Sequence, residues 1–506
     1  MQYGFVIDHR KCIGCHACTV ACKSENEVPV GNFRTWVKYT EIGTFPAIKR
    51  HFAVLRCNQC TNAPCVTICP VNALGKRDDG IVDLDKDACI GCKACMQACP
   101  YDAIYLNEDT GGAEKCHFCA HRVEQGLKPA CEVVCPEEAI LSGDFDDPRS
   151  LVAQLTRDLE TVVRRPEQGT GPNVRYLGID EVSLHPGLAR EPSTYIWSDR
   201  RLPPPDLPAD FPVHPTARTV LDVNHEVHWG WKVSAYLVTK GVAAGAAILA
   251  PLLPPLGVAG FAADYLPELT ALLFTAITLG LLVLDLKRPM YFFRLLTRPN
   301  TRSWLVKGGW VLSAFSAVTV AAIGARLLGF GDAADALRYL NVPLGVMTAV
   351  YTAWLFAQCE GRDLWQDPGK LSVQLLAQAL MLGGAVLLPF AAAPVPPAAV
   401  LSAAIVLGAA AHLWVALGKL RADHGTANAR QAAALLPRIP VLPGGDLKAF
   451  PLGLWLTSVA AGLALLLVAF GLTNAGTGAV VLVLTTLGLY LYEQAFVRAA
   501  QIPPLS

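Results

Sequence analysis

Sixteen of the chain's 17 cysteines lie between Cys12 and Cys135, in four groups of four. No other feature constrains the fold as tightly. Group one is Cys12, Cys15, Cys18 and Cys22, spaced C-x2-C-x2-C-x3-C, and group three, Cys89, Cys92, Cys95 and Cys99, repeats that spacing. Group two is Cys57, Cys60, Cys65 and Cys69, spaced C-x2-C-x4-C-x3-C. Group four is Cys116, Cys119, Cys131 and Cys135, with eleven residues before its third cysteine. Pro70, Pro100 and Pro136 follow the last cysteine of three groups.

This is the bacterial ferredoxin pattern, in which the fourth cysteine ligates a different cluster from the first three. Three thiolates on one tight loop cap three irons of a cubane, and the fourth points toward the neighbouring cubane. Sixteen cysteines at four per cluster give four [4Fe-4S] clusters with none left over. A closed zinc site uses two C-x2-C pairs rather than runs of three or four. The sequence opens on a strand-like stretch, Gln2 to Asp8, with no basic region, apolar core and cleavage site and no twin-arginine pair. That predicts a domain kept in the cytoplasm, where disulfides are disfavoured. Four cubanes in so short a segment leave little room for a substrate pocket, so the segment reads as a wire rather than a catalyst.

The residues around the cysteines narrow the family. Cys57-Asn58-Gln59-Cys60-Thr61-Asn62-Ala63-Pro64-Cys65, Cys89-Ile90-Gly91-Cys92-Lys93-Ala94-Cys95, Lys115-Cys116-His117-Phe118-Cys119 and Gly126-Leu127-Lys128-Pro129-Ala130-Cys131 resemble the four-cluster electron-transfer subunit of the DMSO reductase family of molybdoenzymes. The resemblance covers about residues 2–142. It implies four ligand sets: Cys12/15/18 with Cys135, Cys116/119/131 with Cys22, Cys57/60/65 with Cys99, and Cys89/92/95 with Cys69. Some relatives replace the second cysteine of group two and hold a three-iron cluster; Cys60 implies four irons here. A large molybdopterin-containing catalytic subunit is the implied partner, since this chain has no candidate domain of that kind.

The second half has another character. Hydrophobic residues make up 53% of the chain and charged ones 17%, against roughly 25% charged in a soluble domain. Lys+Arg and Asp+Glu balance at 42 each, which gives no reason to expect nucleic acid. We read residues 1–145 as an α+β, double-ferredoxin-like iron–sulfur domain. Residues 146–226 read as a proline-rich linker, with Arg201–Pro208 and Phe211–Pro215 favouring extended backbone: a short helix near 148–164, then an ordered tether lying on the first domain. Gly169-Thr170-Gly171 lacks the rest of a dinucleotide fingerprint. Residues 227–506 read as an all-α bundle of eight transmembrane helices, at 229–251, 266–286, 303–325, 338–358, 372–394, 398–420, 449–470 and 476–498. Loops on the N-terminal side carry fourteen Lys and Arg, from Lys287 to Arg498, against Arg326 and Arg338 opposite. That asymmetry places the iron–sulfur domain on the cytoplasmic side of the inner membrane, although docking of the basic loop 287–307 onto the cluster domain would weaken the count.

Polar groups inside a bilayer are costly and mark function by default. Tyr236 and Lys240 lie one turn apart in the first span, beside Gly241 and Gly245, which allow close helix approach. Asp285 closes the second span, Tyr351 lies in the fourth and His412 in the sixth. Tyr236, Tyr351 and His412 fall roughly 10–12 Å below the N-terminal face. Donors and acceptors at one depth suit a quinone head-group. Each has a plainer reading: interfacial anchoring for the tyrosines, a helix-end pair with Arg288 for Asp285, a hydrogen-bonded core position for His412. Cys359 reads as an inert thiol. Haem is not expected, because only His412 lies well inside, with His225 and His228 at the boundary.

Leu279 to Pro289, then Ser303 with Gly308-Gly309-Trp310, and Tyr351-Thr352-Ala353 resemble the polysulfide reductase/NrfD-type membrane subunit, best over about 228–360. That resemblance implies a haem-free bundle reacting with quinone, with Tyr236 and Tyr351 near its site. The joint expectation is an electron-transfer and membrane-anchor subunit linking the catalytic partner to the quinone pool. The alternatives are an ion-translocating redox module using Lys240 and Asp285, or a cluster-bearing sensor or scaffold without quinone chemistry.

Overall fold

The computed structural model describes residues 1–189, 214–223, 225–390 and 395–506. The proline-rich run Arg201–Pro208 and the residues 211–213 lie outside the described residues. The first half is a ferredoxin-like sheet-and-helix domain. Strand β1 (Tyr3–Asp8) is central in a three-stranded sheet, antiparallel to β8 (Ile140–Asp144) and parallel to β9 (Val174–Leu177). A long hairpin of β2 (Thr35–Thr44) and β3 (Ala47–Arg56) is joined on its free edge by β10 (Arg218–Leu221). Two short hairpins, β4 (Leu74–Lys76) with β5 (Val82–Leu84) and β6 (Ile104–Leu106) with β7 (Ala113–Lys115), follow cysteine groups two and three. In residues 146–226 the helix runs Leu151–Asp158, and β9 and β10 enter the sheets of the first domain.

Among the described residues, eight helices are long and apolar enough to cross a membrane: α1 (Trp231–Leu252), α2 (Leu266–Asp285), α3 (Trp304–Leu327), α4 (Gly331–Ala357), α5 (Pro368–Phe390), α6 (Pro396–Arg421), α7 (Ala449–Ala469) and α8 (Ala475–Ala499). The fourth begins seven residues before its expected start at 338. The cause is a polar turn whose charges are paired: Arg326 with Asp264 and Asp335, and Arg338 with Glu268 at 2.6 Å. Arg338 is therefore a buried helix residue, not a loop charge.

Helix α1 is the hub, touching α2, α4, α5 and α8. It is 83% buried and α5 72%, against 22% for α3. Its small residues permit this, because dispersion between close backbones drives helix association in lipid. A Cβ on Gly245 would lie 1.8 Å from the Ala379 carbonyl oxygen of α5.

The two halves share a surface rather than a tether. Lys287 and Arg288 donate backbone N–H groups to Gly91 and Ile90. Arg288 also reaches the carbonyls of Lys86, Cys89 and Thr110, and Asn300 and Ser303 cap those of Cys69 and Ile68. Arg362 donates to Gln97 Oε1 at 2.8 Å, and Gln97 donates to Gln501 Oε1 at 2.8 Å. Several positive charges of the N-terminal-side count are thus occupied in docking, as for Lys287, Arg288, Arg294, Arg298 and Arg362.

Gly245→Leu is expected to separate α1 from α5 and cost about 1–3 kcal/mol. Thermal unfolding of the detergent-solubilised protein measures this; an unchanged midpoint would mean that the two backbones are not in contact.

Candidate functional site

The cysteine loops share one backbone device. The residue after the second cysteine is left-handed at His16 (φ 61°) and Lys93 (φ 63°) in groups one and three, and the residue before it at Gln59 (φ 46°) and Phe118 (φ 61°) in groups two and four. Alternating right- and left-handed residues turn successive N–H groups into a concavity that suits an anionic cluster. Short helices begin at the loops, at Ala17, Pro64, Ala94 and Ala120. The last cysteine sits at or just beyond the helix end in groups two and three, as the C-cap Cys69 of Pro64–Ile68 and the C-cap Cys99 of Ala94–Ala98.

These loops bring cysteines from distant groups together. One cavity is lined by Cys12, Cys15, Cys18 and Cys135, another by Cys22, Cys116, Cys119 and Cys131. Cys99 stands within electrostatic reach of Cys57, Cys60 and Cys65, and Cys69 of Cys89, Cys92 and Cys95. Among the described residues, no three Cys, His, Asp or Glu side chains converge as a single-ion site requires. Thiols spread around a cavity fit a polynuclear cluster. Burial pushes the Cys18, Cys99 and Cys119 thiols up to about 11, so deprotonation needs metal ligation. Two buried cations attend them. Arg56 donates to Cys131 Sγ at 3.2 Å, and Lys115 donates to the Cys116 carbonyl at 3.0 Å and lies within reach of Cys57 and Cys65.

In the bundle, Lys240 is buried and donates to Ala349 O at 3.0 Å and Thr352 Oγ1 at 2.5 Å, with its ammonium 4.8 Å from the Tyr351 ring centroid. Tyr236 is buried on the same face, within reach of Tyr351 and Thr352. Gly308 makes room for the Tyr351 ring, since a Cβ there would lie 2.2 Å from it. Tyr236, Lys240 and Tyr351 therefore come together. His412 lies in an adjoining network with Gln374, Gln378 and Tyr492. Asp285 stands apart. Its carboxylate pairs not with Arg288 but with Lys93, both oxygens at 3.0 Å, between Cys92 and Cys95. The tertiary partner wins because Arg288 is spent on carbonyls of the cluster domain.

Sequence reasoning passed over Thr352, Gln374, Gln378, Lys419, Tyr492 and Glu493. Glu493 was findable, as a carboxylate inside the eighth span; the glutamines carry no charge to flag them. His225, weighed in the sequence only as a boundary histidine, is hydrogen-bonded to Asp102 three residues beyond Cys99, faces Asp222, and meets Ser506 Oγ at 3.0 Å.

A single apolar core joins the two regions. It runs from the cysteines of groups two and three through Trp229, Tyr236, Phe356, Cys359 and Trp365 into α8. The family model for polysulphide reductase, NrfD, matches residues 219–497, more than half of the chain. The chain belongs to the polysulphide reductase/NrfD family. The model for a 4Fe-4S dicluster domain matches residues 48–145 of this NrfD-family chain, covering cysteine groups two to four. The first half is 44% identical over 193 residues to a tetrathionate reductase subunit of Salmonella typhimurium, spanning 37% of this chain and 77% of that protein. It is 38% identical over 176 residues to a polysulfide reductase component of Wolinella succinogenes, spanning 34% and 92%. It is 46% identical over 149 residues to the thiosulfate reductase electron transfer subunit of Salmonella typhi, spanning 29% and 78%. This NrfD-family chain is an iron–sulfur electron-transfer subunit of an oxidoreductase complex, carried on a multi-pass membrane part.

Asp102 and Asp222 raise His225 to about 10. A group raised on folding contributes stability that is complete below its ordinary value near 6.5 and lost as pH rises through about 10. The segment around His225 is therefore expected to open between those pH values. Hydrogen exchange of residues 225–230 reads this, after correction for the intrinsic rate. His225→Gln should abolish the dependence; a persistent one would assign it elsewhere.

Proposed function

We propose that this chain carries electrons between a molybdopterin-containing catalytic subunit and the membrane quinone pool through four [4Fe-4S] clusters. The ligand sets are Cys12, Cys15, Cys18 and Cys135; Cys22, Cys116, Cys119 and Cys131; Cys57, Cys60, Cys65 and Cys99; and Cys69, Cys89, Cys92 and Cys95. When bound, the clusters supply one-electron transfer at potentials set by charge and burial. The observation that carries this reading is the shared apolar core, in which buried side chains lead from the last two cysteine sets to Tyr236.

The chain's own residues bind and orient the quinone as substrate. An ammonium has three donors. Lys240 uses two on Ala349 and Thr352, leaving one for a quinone oxygen. Tyr351, held by the gap at Gly308, fixes the ammonium from below, and Tyr236 supplies a hydroxyl from the cluster side. Asp285, offered by its sequence position as a pocket residue, serves here to anchor Lys93 at the docking surface. The catalytic partner meets the iron–sulfur domain, and the names of the relatives support that partner as a reductase subunit. The charge asymmetry of the loops supports the cytoplasmic side of the inner membrane, less strongly once the docking residues are set aside.

The purified complex is expected to hold about sixteen irons per chain and no zinc. Lys240→Met should slow oxidation of a soluble quinol analogue about tenfold to a hundredfold, the worth of a hydrogen bond to a charged group, while dithionite-reduced EPR signals stay unchanged. Zinc in the cysteine sites, or undiminished turnover in that variant, would refute the reading.

A further inference from the structure

A second buried polar network lies behind the Lys240 pocket, and the function above does not use it. It joins α5, α6 and α8. Lys419 donates to Gln374 Oε1 at 2.5 Å and to the Tyr492 hydroxyl at 3.3 Å. Gln374 Nε2 donates to the same hydroxyl at 2.7 Å and to His412 Nδ1 at 3.2 Å. Gln378 Nε2 reaches His412 Nδ1 at 3.4 Å and Glu493 Oε1 at 2.7 Å. Gln374, Gln378, His412, Tyr492 and Glu493 are all buried.

The ends of the network differ. Lys419 lines a cleft of about 430 Å³ on the cluster-domain side, with Asp363, Asp367, Lys370 and His424. Glu493 lies within electrostatic reach of Lys240 at one end and Lys419 at the other. Two atoms are left over. His412 Nε2 and Glu493 Oε2 are buried without a hydrogen-bond partner among the described residues. With Nδ1 accepting from the glutamines, the imidazole carries its proton on Nε2. These open positions leave an imidazole N–H and a carboxylate oxygen free to pass or take a proton, which neither glutamine can do. A path that must accept and release protons keeps them open.

We propose that this network is the proton conduit of the quinone pocket, running from the cleft at Lys419 past Tyr492 and His412 to Glu493 and thence to Lys240. The inference rests on the quinone reading of that pocket. Reducing a quinone forms two O–H bonds with two electrons from the iron–sulfur clusters and two protons. Each proton leaves the Glu493 carboxyl by way of the Lys240 ammonium, and the carboxylate regains one from the cleft. Quinol oxidation runs the same transfers backwards. Gln374 and Gln378 carry no proton; they hold His412, Tyr492 and Glu493 in register. The charged groups facing Glu493 are Lys240 from α1 and Lys419 from α6, with His412 and Gln378 beside it, and α7 contains no titratable side chain.

The test uses the purified complex, a soluble quinol analogue, and Glu493→Gln, Glu493→Asp and Lys419→Met. Glu493→Gln is expected to lower kcat about a hundredfold, the scale of a positioned acid–base group, with KM and dithionite-reduced EPR signals unchanged. Glu493→Asp should restore most of the loss. Redox-difference infrared spectra of the unaltered complex should show a carboxyl C=O band that Glu493→Gln removes. Turnover of Glu493→Gln within twofold of the unaltered complex overturns the conduit and leaves the quinone site standing. If that variant does not assemble, Lys419→Met at the cleft decides: a fall in kcat alone supports the conduit, and unchanged kcat overturns it. An unaltered complex that oxidises no quinol overturns the proposed function and the conduit together.

Discussion

The structure depends on burying the cysteine loops of groups two and three directly against a membrane bundle. Loop backbone is polar, and polar backbone at a bilayer surface must find partners or water. Here the bundle supplies them. Asn300, Ser303 and Arg288 cap the carbonyls of Cys69, Ile68 and Cys89, so the loops are bonded directly to the bundle. Everything that couples the halves follows from that contact. Trp229, Phe356 and Trp365 stack with centroids 4.6–5.9 Å apart, directly beneath it.

Charge is managed by the same contact. A thiolate-ligated cluster is an anion in a dry setting, and burial alone pushes its thiols upward. Arg56 and Lys115 lie fully inside the domain beside those thiols, and Lys93 and Arg362 lie at the junction. A lone buried cation would be prohibitively costly. Lys93 is offset by Asp285 at 3.0 Å, whereas Arg56 has Nε and Nη2 unpartnered among the described residues. Arg56 lies over the Phe5 ring and donates to Cys131 Sγ, so a cluster held by Cys131 would supply the anion that offsets it and would couple metal binding to folding of this domain.

The cysteine spacing made the first domain legible, because ligand geometry is local and tolerates little variation. The spans were legible for the same reason: hydrocarbon thickness fixes helix length. The fourth span failed at its start because Asp335 and Arg338 look like loop charges until Arg326 and Glu268 are seen to pair with them. Tyr236, Lys240 and Tyr351 were visible as polar residues in apolar helices. Asp285 was equally visible but its role was not, since nothing in the local sequence announces Lys93, 192 residues away. Gln374 and Gln378 escaped because their importance lies in the partners they hold.

The bundle is asymmetric in a way that bears on energy conversion. On the side away from the clusters, Glu268 and Arg338 are locked together at 2.6 Å, and Arg338 also grips the carbonyls of Ala263 and Asp264. This pair ties the starts of α2 and α4 together. The network of Lys419, His412 and Glu493 opens instead beside the cluster domain. On the proposed reading, the protons of quinone chemistry enter and leave on the same side as the electrons. An ion-translocating role would require a second route past the Glu268–Arg338 pair. Asn341 and Thr319, and Thr239 and Thr278, form two bonded pairs among the buried polar side chains of the first four spans, each at 2.8 Å. Each pair braces two helices against one another.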